Sequence, residues 1–265
     1  MNSRVYIETY QRDKITYLKD SFSNQPFKIA DVRENHQNPC LNLMLMSSSP
    51  GLLGGDYYEI DVQVKAGGAL RLKTQAYQRI FTMDTMATQT MTIKVKEGSF
   101  FHFTPHPVVP HKDSSFKGVN HIYLSKNADL IWGEVITCGR KLNDEQFAYN
   151  YFENKTTIYQ NNQPVIIDHL LYHPKKKMPL SLGQLEGHTH LSSLWILQEG
   201  IDIKRITKVI SEYLAAYQQL TYGVSETPIS GVVVKILGKQ SEMLFDVIQQ
   251  LADKIYLEFF AYDIQ

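Results

Sequence analysis

Apolar residues at every second position, broken by glycine and then resumed, constrain this chain more than any other feature. Tyr58, Ile60, Val62 and Val64 alternate with polar residues, the period of a strand with one buried face. Gly67-Gly68 interrupts, and Leu70 and Leu72 take the alternation up again. Just downstream lies Thr74-Gln75-Ala76-Tyr77-Gln78-Arg79-Ile80, and upstream a glycine turn, Ser49-Pro50-Gly51-Leu52-Leu53-Gly54-Gly55-Asp56. A strand that stops and restarts in this way demands a turn-rich β body rather than a helical one.

The pattern recurs. Lys65-Ala66-Gly67-Gly68-Ala69-Leu70-Arg71-Leu72 is followed by Lys96-Glu97-Gly98-Ser99-Phe100-Phe101-His102-Phe103, and then by Lys126-Asn127-Ala128-Asp129-Leu130-Ile131-Trp132. The leading lysines are spaced by 31 and then 30 residues. Each unit reads strand, small-residue turn, strand, and a fixed period of this size predicts stacked units that share a core. The expectation is a β-helix-like stack of short strands. A sandwich, a barrel or a plain meander of hairpins is the alternative.

Toward the N-terminus, Val5, Ile7 and Thr9 alternate, as do Ile15 and Tyr17, while Phe27-Lys28-Ile29 and Leu41 to Met46 read as short strands. Thr156 to Tyr159 and Val165 to Ile167 flank a turn at Asn161-Asn162. Two helices are expected near 202–220 and 241–258. The first carries Ile203, Ile206, Ile210, Leu214 and Tyr217 at helical spacing, between an Asp202 N-cap and Gly223 just past its end. The second has an apolar stripe, Met243, Leu244, Val247, Ile248, Leu251 and Ile255, behind Ser241 as N-cap. Val232 to Leu237 between them reads as a buried strand. No linker divides the chain, so one mainly β (α+β) domain over 1–265 is expected, with its two α-helices in the C-terminal part.

With 27 basic and 27 acidic residues, the chain carries no electrostatic footprint for nucleic acid or an anionic membrane. Near-zero net charge also provides little repulsion between copies, which favours self-association or a protein partner. Cys40 and Cys138 form neither a disulfide framework nor a zinc spacing. No leader-like segment is read at the N-terminus, and no apolar run approaches the roughly 20 residues of a spanning helix. A cytoplasmic protein is expected.

Catalytic signatures are weak. The Gly-Gly-Asp turn lacks the Gly-Lys-Ser/Thr ending of a nucleotide loop and reads as a structural turn, although Asp56 beside two glycines can stand open to a ligand. His102, His106 and His111 lie among prolines, and His188 and His190 would share one face of a strand. Imidazole suits nickel, copper and zinc, but the carboxylate that a His-x-His site needs nearby is missing. Glu134 sits among Ile131, Trp132, Val135 and Ile136, where a carboxylate must be paired, with Arg140 as the candidate partner, or functional.

Taken together, five blocks of the chain resemble the UreD/UreH family of urease accessory proteins. They are Ser49 to Asp56, Thr74-Gln75-Ala76 with Arg79, and Phe103 to Pro110 with Phe116 and Gly118. Gly139-Arg140 with Glu145 and Phe147 follows, and then Val224-Ser225 with Val232 to Gly238. Departures include Leu52 and Leu53 where glycine is frequent, Arg79 for a usual lysine, Lys235 for a usual arginine, and Asp144 before Glu145. The resemblance implies a non-enzymatic chaperone that binds UreF, recruits the GTPase UreG, docks on the urease apoenzyme and helps nickel reach its active site. It implies a possible dimer of heterodimers and no permanently bound cofactor, nickel being in transit. Asp56 and Glu134 would make transient contacts with nickel, while Gly54, Gly55, Gln75, Arg79, Arg140, Glu145 and Lys235 would hold the fold or the partner face. The competing expectation is a metal-dependent or carbohydrate-active enzyme on a β-helix or cupin-like body.

Overall fold

The computed structural model describes residues 1–181 and 183–260. In chain order the strands are β1 (Asn2–Arg12), β2 (Ile15–Ser23), β3 (Phe27–Asp31), β4 (Leu41–Ser47), β5 (Tyr57–Val64), β6 (Ala69–Thr74), β7 (Gln78–Ile80), β8 (Ala87–Val95) and β9 (Phe100–Phe103). They continue with β10 (Val108–Pro110), β11 (Ser115–Leu124), β12 (Asp129–Ile136), β13 (Tyr151–Gln160), β14 (Gln163–Tyr172) and β15 (His190–Leu197). Helix α1 (Ile203–Leu214) precedes β16 (Thr221–Glu226) and β17 (Gly231–Gly238), and α2 (Ser241–Ile255) runs into a π-helical turn, Tyr256–Phe260. The body is thus mainly β, with two α-helices in its C-terminal part.

Two sheets face each other. The first has the order β14-β13-β11-β8-β5-β1-β2, and the second β16-β17-β15-β12-β9-β6-β4-β3, with the short β7 and β10 attached beside β12. From β4 to β13 the longer strands alternate between the sheets, and each pairs in parallel with the strand one round earlier. Ala69 lies against Phe100, 31 residues on, and Phe100 against Asp129, a further 29. The lysine-led turns sit over one another: the Gly67 amide donates to Glu97 O at 3.1 Å and the Gly98 amide to Lys126 O at 3.4 Å. Gly67, Gly98 and Asn127 take the left-handed backbone these turns need, with φ of 73°, 62° and 52°. Both ends of both sheets change character. β1–β2, β13–β14, β3–β4 and β16–β17 are antiparallel pairs.

Period-2 alternation sends one face of every strand into the space between the sheets, where Ile7, Val62, Leu72, Ile93, Phe103, Ile122, Leu130 and Ile158 form a continuous core. A second core lies on the other side of the second sheet. There Ile131, Leu194, Ile196, Val232, Val234 and Ile236 pack under Ile206, Ile210 and Leu214 of α1 and Leu244, Val247, Ile248 and Leu251 of α2. Burying each such aliphatic side chain is worth about 1.5–3 kcal/mol.

The helices differ from expectation at their ends. Asp202 caps α1, accepting the Arg205 amide at 3.0 Å, but α1 stops at Leu214 rather than near 220. Gly223 does not terminate the helix; it pairs with Lys235 inside β16. Helical spacing alone cannot see that an exposed edge of β17 recruits these residues as a strand. Ser241 is the first helical residue of α2 rather than its cap, which is Gln240, with no side-chain cap bond.

Candidate functional site

The glycine turn and the Thr74–Ile80 stretch form one structure. The Leu52 amide donates to Arg79 O at 2.8 Å and the Phe81 amide to Leu52 O at 3.0 Å, making a parallel bridge between Leu52 and Ile80. A Cβ at Gly51 would stand 2.3 Å from Arg79 O, so the two segments meet only because that residue is glycine. On the other side the Gln75 amide donates to Leu45 O and the Gln78 amide to Pro107 O. Thr74 Oγ1 accepts the His106 amide at 2.9 Å and also contacts His106 Nδ1 at 2.9 Å. His106 stacks on Phe245, 4.4 Å between centroids, and burial lowers its pKa. Gln75, Ala76 and Arg79 remain exposed.

These segments form the rim of a cavity of about 220 Å³ between the sheets. Tyr58, Met91, Phe103 and Trp132 are among its walls, and Glu134 reaches it from β12. Glu134 is enclosed by protein yet keeps part of its surface accessible, on the side of the cavity it lines. Its Oε1 accepts from Trp132 Nε1 at 2.9 Å, Thr156 Oγ1 at 2.8 Å and Asn120 Nδ2 at 3.3 Å, and its Oε2 from Asn154 Nδ2 at 2.8 Å. The expected pairing with Arg140 does not form, and among the described residues no cation bonds to this carboxylate. Desolvation raises the Glu134 pKa above the ordinary value; the Trp132 hydrogen bond opposes that, and the charge of Asp168 adds to it. Gly118 makes the cage possible, because a Cβ there would lie 2.7 Å from Asn154 Oδ1. A carboxylate held only by neutral donors has no countercharge beside it when it ionises, which is the state a passing cation can use.

The polar character continues sideways. Glu134 pairs with Ser193 across β12 and β15, and Ser193 with Lys235 across β15 and β17. On the facing sheet Asn120 pairs with Thr156, and Thr156 with Asp168. Lys235 Nζ donates to Asp168 across the gap and to Ser193 Oγ at 2.8 Å.

The remaining candidates lie elsewhere. Asp56 is buried but is not part of the cavity lining. Its Oδ2 accepts the Leu53 amide at 2.8 Å and its Oδ1 the Met1 ammonium at 2.8 Å, so the carboxylate is spent on holding the turn. Gly54 and Gly55 lie against Thr85, with the Gly55 amide donating to Thr85 O. Arg140 pairs with Glu145, Nε to Oε2 at 2.8 Å, and Glu145 also accepts the Lys112 amide at 3.2 Å. That hydrogen bond to Arg140 is the largest cause of the lowered Glu145 pKa and of the raised Arg140 pKa. The pair closes a surface loop over Gly139, where a Cβ would strike Glu145 O at 2.6 Å.

The histidines do not converge. His188 precedes β15 in a loop and contacts Leu185 O and Thr221, so it does not share a strand face with buried His190. His190 contacts Thr189 Oγ1 at 2.8 Å, and burial takes its pKa down to about 4. Among the described residues no three His, Cys, Asp or Glu side chains are placed to hold a metal ion together. Cys40 and Cys138 are both buried and unbridged, and no helix of the described residues is long and apolar enough to cross a membrane.

Sequence comparison adds an independent finding. A family model described as "UreD urease accessory protein" matches residues 2–261. A Flavobacterium johnsoniae protein named "Urease accessory protein UreD" is 38% identical over 243 residues, covering 91% of this chain and 88% of its own. Proteins of the same name from Actinobacillus pleuropneumoniae and Haemophilus influenzae are 36% and 35% identical, over 248 and 268 residues. They cover 91% and 96% of this chain, and 90% and 97% of their own.

Proposed function

This chain belongs to the family of UreD urease accessory proteins, and from that premise we propose that it is a cytoplasmic scaffold for nickel insertion into urease. It is an accessory protein rather than a catalytic enzyme and works within the urease machinery. In this reading it binds a UreF-like protein, through which a UreG-like GTPase joins, docks on the urease apoenzyme, and assembles as a dimer of heterodimers. The alternating central strands are read as the coils of a β-helix-like stack, in one domain.

Nickel is the cargo, and the observation that carries the reading is the cavity that reaches from the motif-built rim to Glu134. An ion leaving water needs oxygen atoms along its way, because an unneutralised charge between apolar walls is costly. It must also leave again. A cage of imidazoles or thiolates would retain nickel, whereas a single carboxylate with amide and hydroxyl neighbours binds it briefly. Glu134 is assigned that transient contact. Asp56, first expected to share it, is assigned to the rim, where it fixes the turn that meets Arg79.

The test is nickel delivery. The chain and its Glu134→Gln variant are purified with UreF- and UreG-like proteins from the same organism, and the nickel loaded into urease is measured. Intact complexes with strongly reduced loading are expected for Glu134→Gln. Wild-type loading by that variant defeats the passage reading, and a chain that ignores the UreF-like protein defeats the scaffold reading.

A further inference from the structure

The interior between the sheets is apolar along most of its length, but one layer of it is not. Glu134, Ser193 and Lys235 are cross-strand neighbours on β12, β15 and β17. Asn120, Thr156 and Asp168 are neighbours on β11, β13 and β14 opposite. Trp132, Trp195 and Val233 bound this layer on one side, and Ile136, Leu191 and Leu237 on the other. The layer begins at the cavity and ends between β14, the edge of its sheet, and β17, beyond which only Gly223 of β16 continues the row; there the Lys235 and Asp168 side chains are 38% and 25% exposed. A transverse row of polar side chains adds nothing to a core that apolar residues would fill more favourably.

We infer that the Lys235–Asp168 ion pair is a removable closure at the far end of this row, so that the cavity has a second, latched opening beside β14 and β17. The inference rests on the passage reading of Glu134 and deepens it. Three observations support it. The pair spans the gap, joining the last side chains of the row from both sheets, and Lys235 also holds Ser193, the next residue inward. Its ammonium lies 5.5 Å from the centroid of the Trp195 ring, capping the wall of the row. Trp195 Nε1 is a buried donor with no acceptor among the described residues. Closed, the latch keeps the ammonium on Asp168 and on Ser193 Oγ, so neither oxygen is free to take a divalent cation moving on from Glu134. Open, it turns Asp168 from a lysine partner into the next oxygen ligand along the row. Ion pairs this exposed are weak, so displacing the ammonium costs little.

Accessibility of the row tests the latch without reference to urease. Ser193→Cys is introduced into the full-length chain, and its modification by a small neutral methanethiosulfonate is timed against the parent, whose two cysteines are buried. With the latch intact, labelling is slow. Asp168→Asn and Lys235→Met, each added separately, should both speed it about tenfold, since labelling follows the population of the open state. Requiring both separates opening from a change in thiol acidity, because losing the lysine disfavours the thiolate and losing the carboxylate favours it, so acidity cannot speed both. Exchanging the charges, Lys235→Asp with Asp168→Lys, should restore slow labelling. Equal rates in all four backgrounds overturn the closure. Where the cysteine variant folds poorly, acrylamide quenching gives the same reading, because the chain's two tryptophans, Trp132 and Trp195, both face the interior. Quenching that does not rise in either latch variant also overturns it. Nickel delivery is scored apart: a latch that opens on labelling while Glu134→Gln still loads urease like the wild type leaves the closure standing and removes the passage reading.

Discussion

The two faces of β12 make opposite uses of the same eight residues. Ile131 and Val135 look toward the helices, and Gly133 between them lets α2 come close: a Cβ there would lie 3.4 Å from Ile248 Cδ1 and 2.8 Å from Thr104 Cγ2. Leu130, Trp132, Glu134 and Ile136 look toward the first sheet, and on that face lie the cavity and the polar row. One face is mostly an apolar seal against the helices, interrupted by buried His102 beside Ile131 and buried Ser192 beside Val135. The other holds a carboxylate that no cation pairs with among the described residues. Strand parity alone separates them, so stability can be concentrated on one side while the other carries groups that lower it.

Variants on the two faces should therefore behave differently. The largest effect is expected on the sealed face. Ile248→Ala should destabilise the chain by about 2–5 kcal/mol through cavity formation, measured by denaturant unfolding. A loss under 1 kcal/mol would show that α2 is not the seal described. On the cavity face, Glu134→Ala takes the acceptor from Trp132, Thr156 and Asn154, Asn120 keeping Thr156 Oγ1, and should cost about 1–3 kcal/mol, while Glu134→Gln should fold almost as well as wild type. If Glu134→Gln unfolds as readily as Glu134→Ala, the charge itself is structural and the contrast between the faces is lost. Asp56→Asn should cost about 1 kcal/mol, by weakening the Leu53 amide bond, with nickel loading unchanged. A loading defect with normal stability would bring Asp56 back into the passage.

The smallest effect is in pH dependence. The folded pKa of Glu134 is raised by desolvation, so the native state holds its proton more tightly than the unfolded chain does. Above the ordinary value of 4.5, stability must then fall with rising pH until the folded group has ionised. The difference in unfolding free energy between wild type and Glu134→Gln should decline across that window. A difference that grows with pH would mean that a cation already pairs with the carboxylate.

Much of the scaffold was legible because its signals are local. Alternation identified β5 and β6, the apolar run Val232-Val233-Val234 with Ile236-Leu237 identified β17, and the lysine spacing marked turns that do lie over one another. Asn161 and Asn162 adopt φ of 51° and 60°, the left-handed pair that their identity suggested for a hairpin turn. The cage around Glu134 was not legible. Asn120, Asn154 and Thr156 sit at inward positions of β11 and β13, and their polarity interrupts an otherwise apolar face, which was the available signal. Alternation gives parity, however, without saying which sheet a strand joins. The distance from Glu134 to Thr156 depends on two sheets meeting, and pairing Glu134 with Arg140 from sequence proximity ignored the loop that turns Arg140 to Glu145. Likewise Asp56 was conspicuous beside its glycines, yet those glycines allow a turn that folds its carboxylate back onto the Leu53 amide.

The antiparallel pairs at the four sheet ends have a consequence for assembly. A ladder of parallel strands presents, at each end, a template on which another copy of the same ladder could grow. Here every ladder terminates in a strand running against its neighbour; at three ends that reverses the parallel pattern within, and at the fourth β15, β17 and β16 are already successively antiparallel. End-to-end polymerisation is therefore discouraged by irregular edges, with register shifts in the β1–β2 and β13–β14 pairs and a β3 of five residues, rather than by net charge, which at zero offers no help. A chain built from returning strands can in this way remain a discrete unit, available for finite complexes.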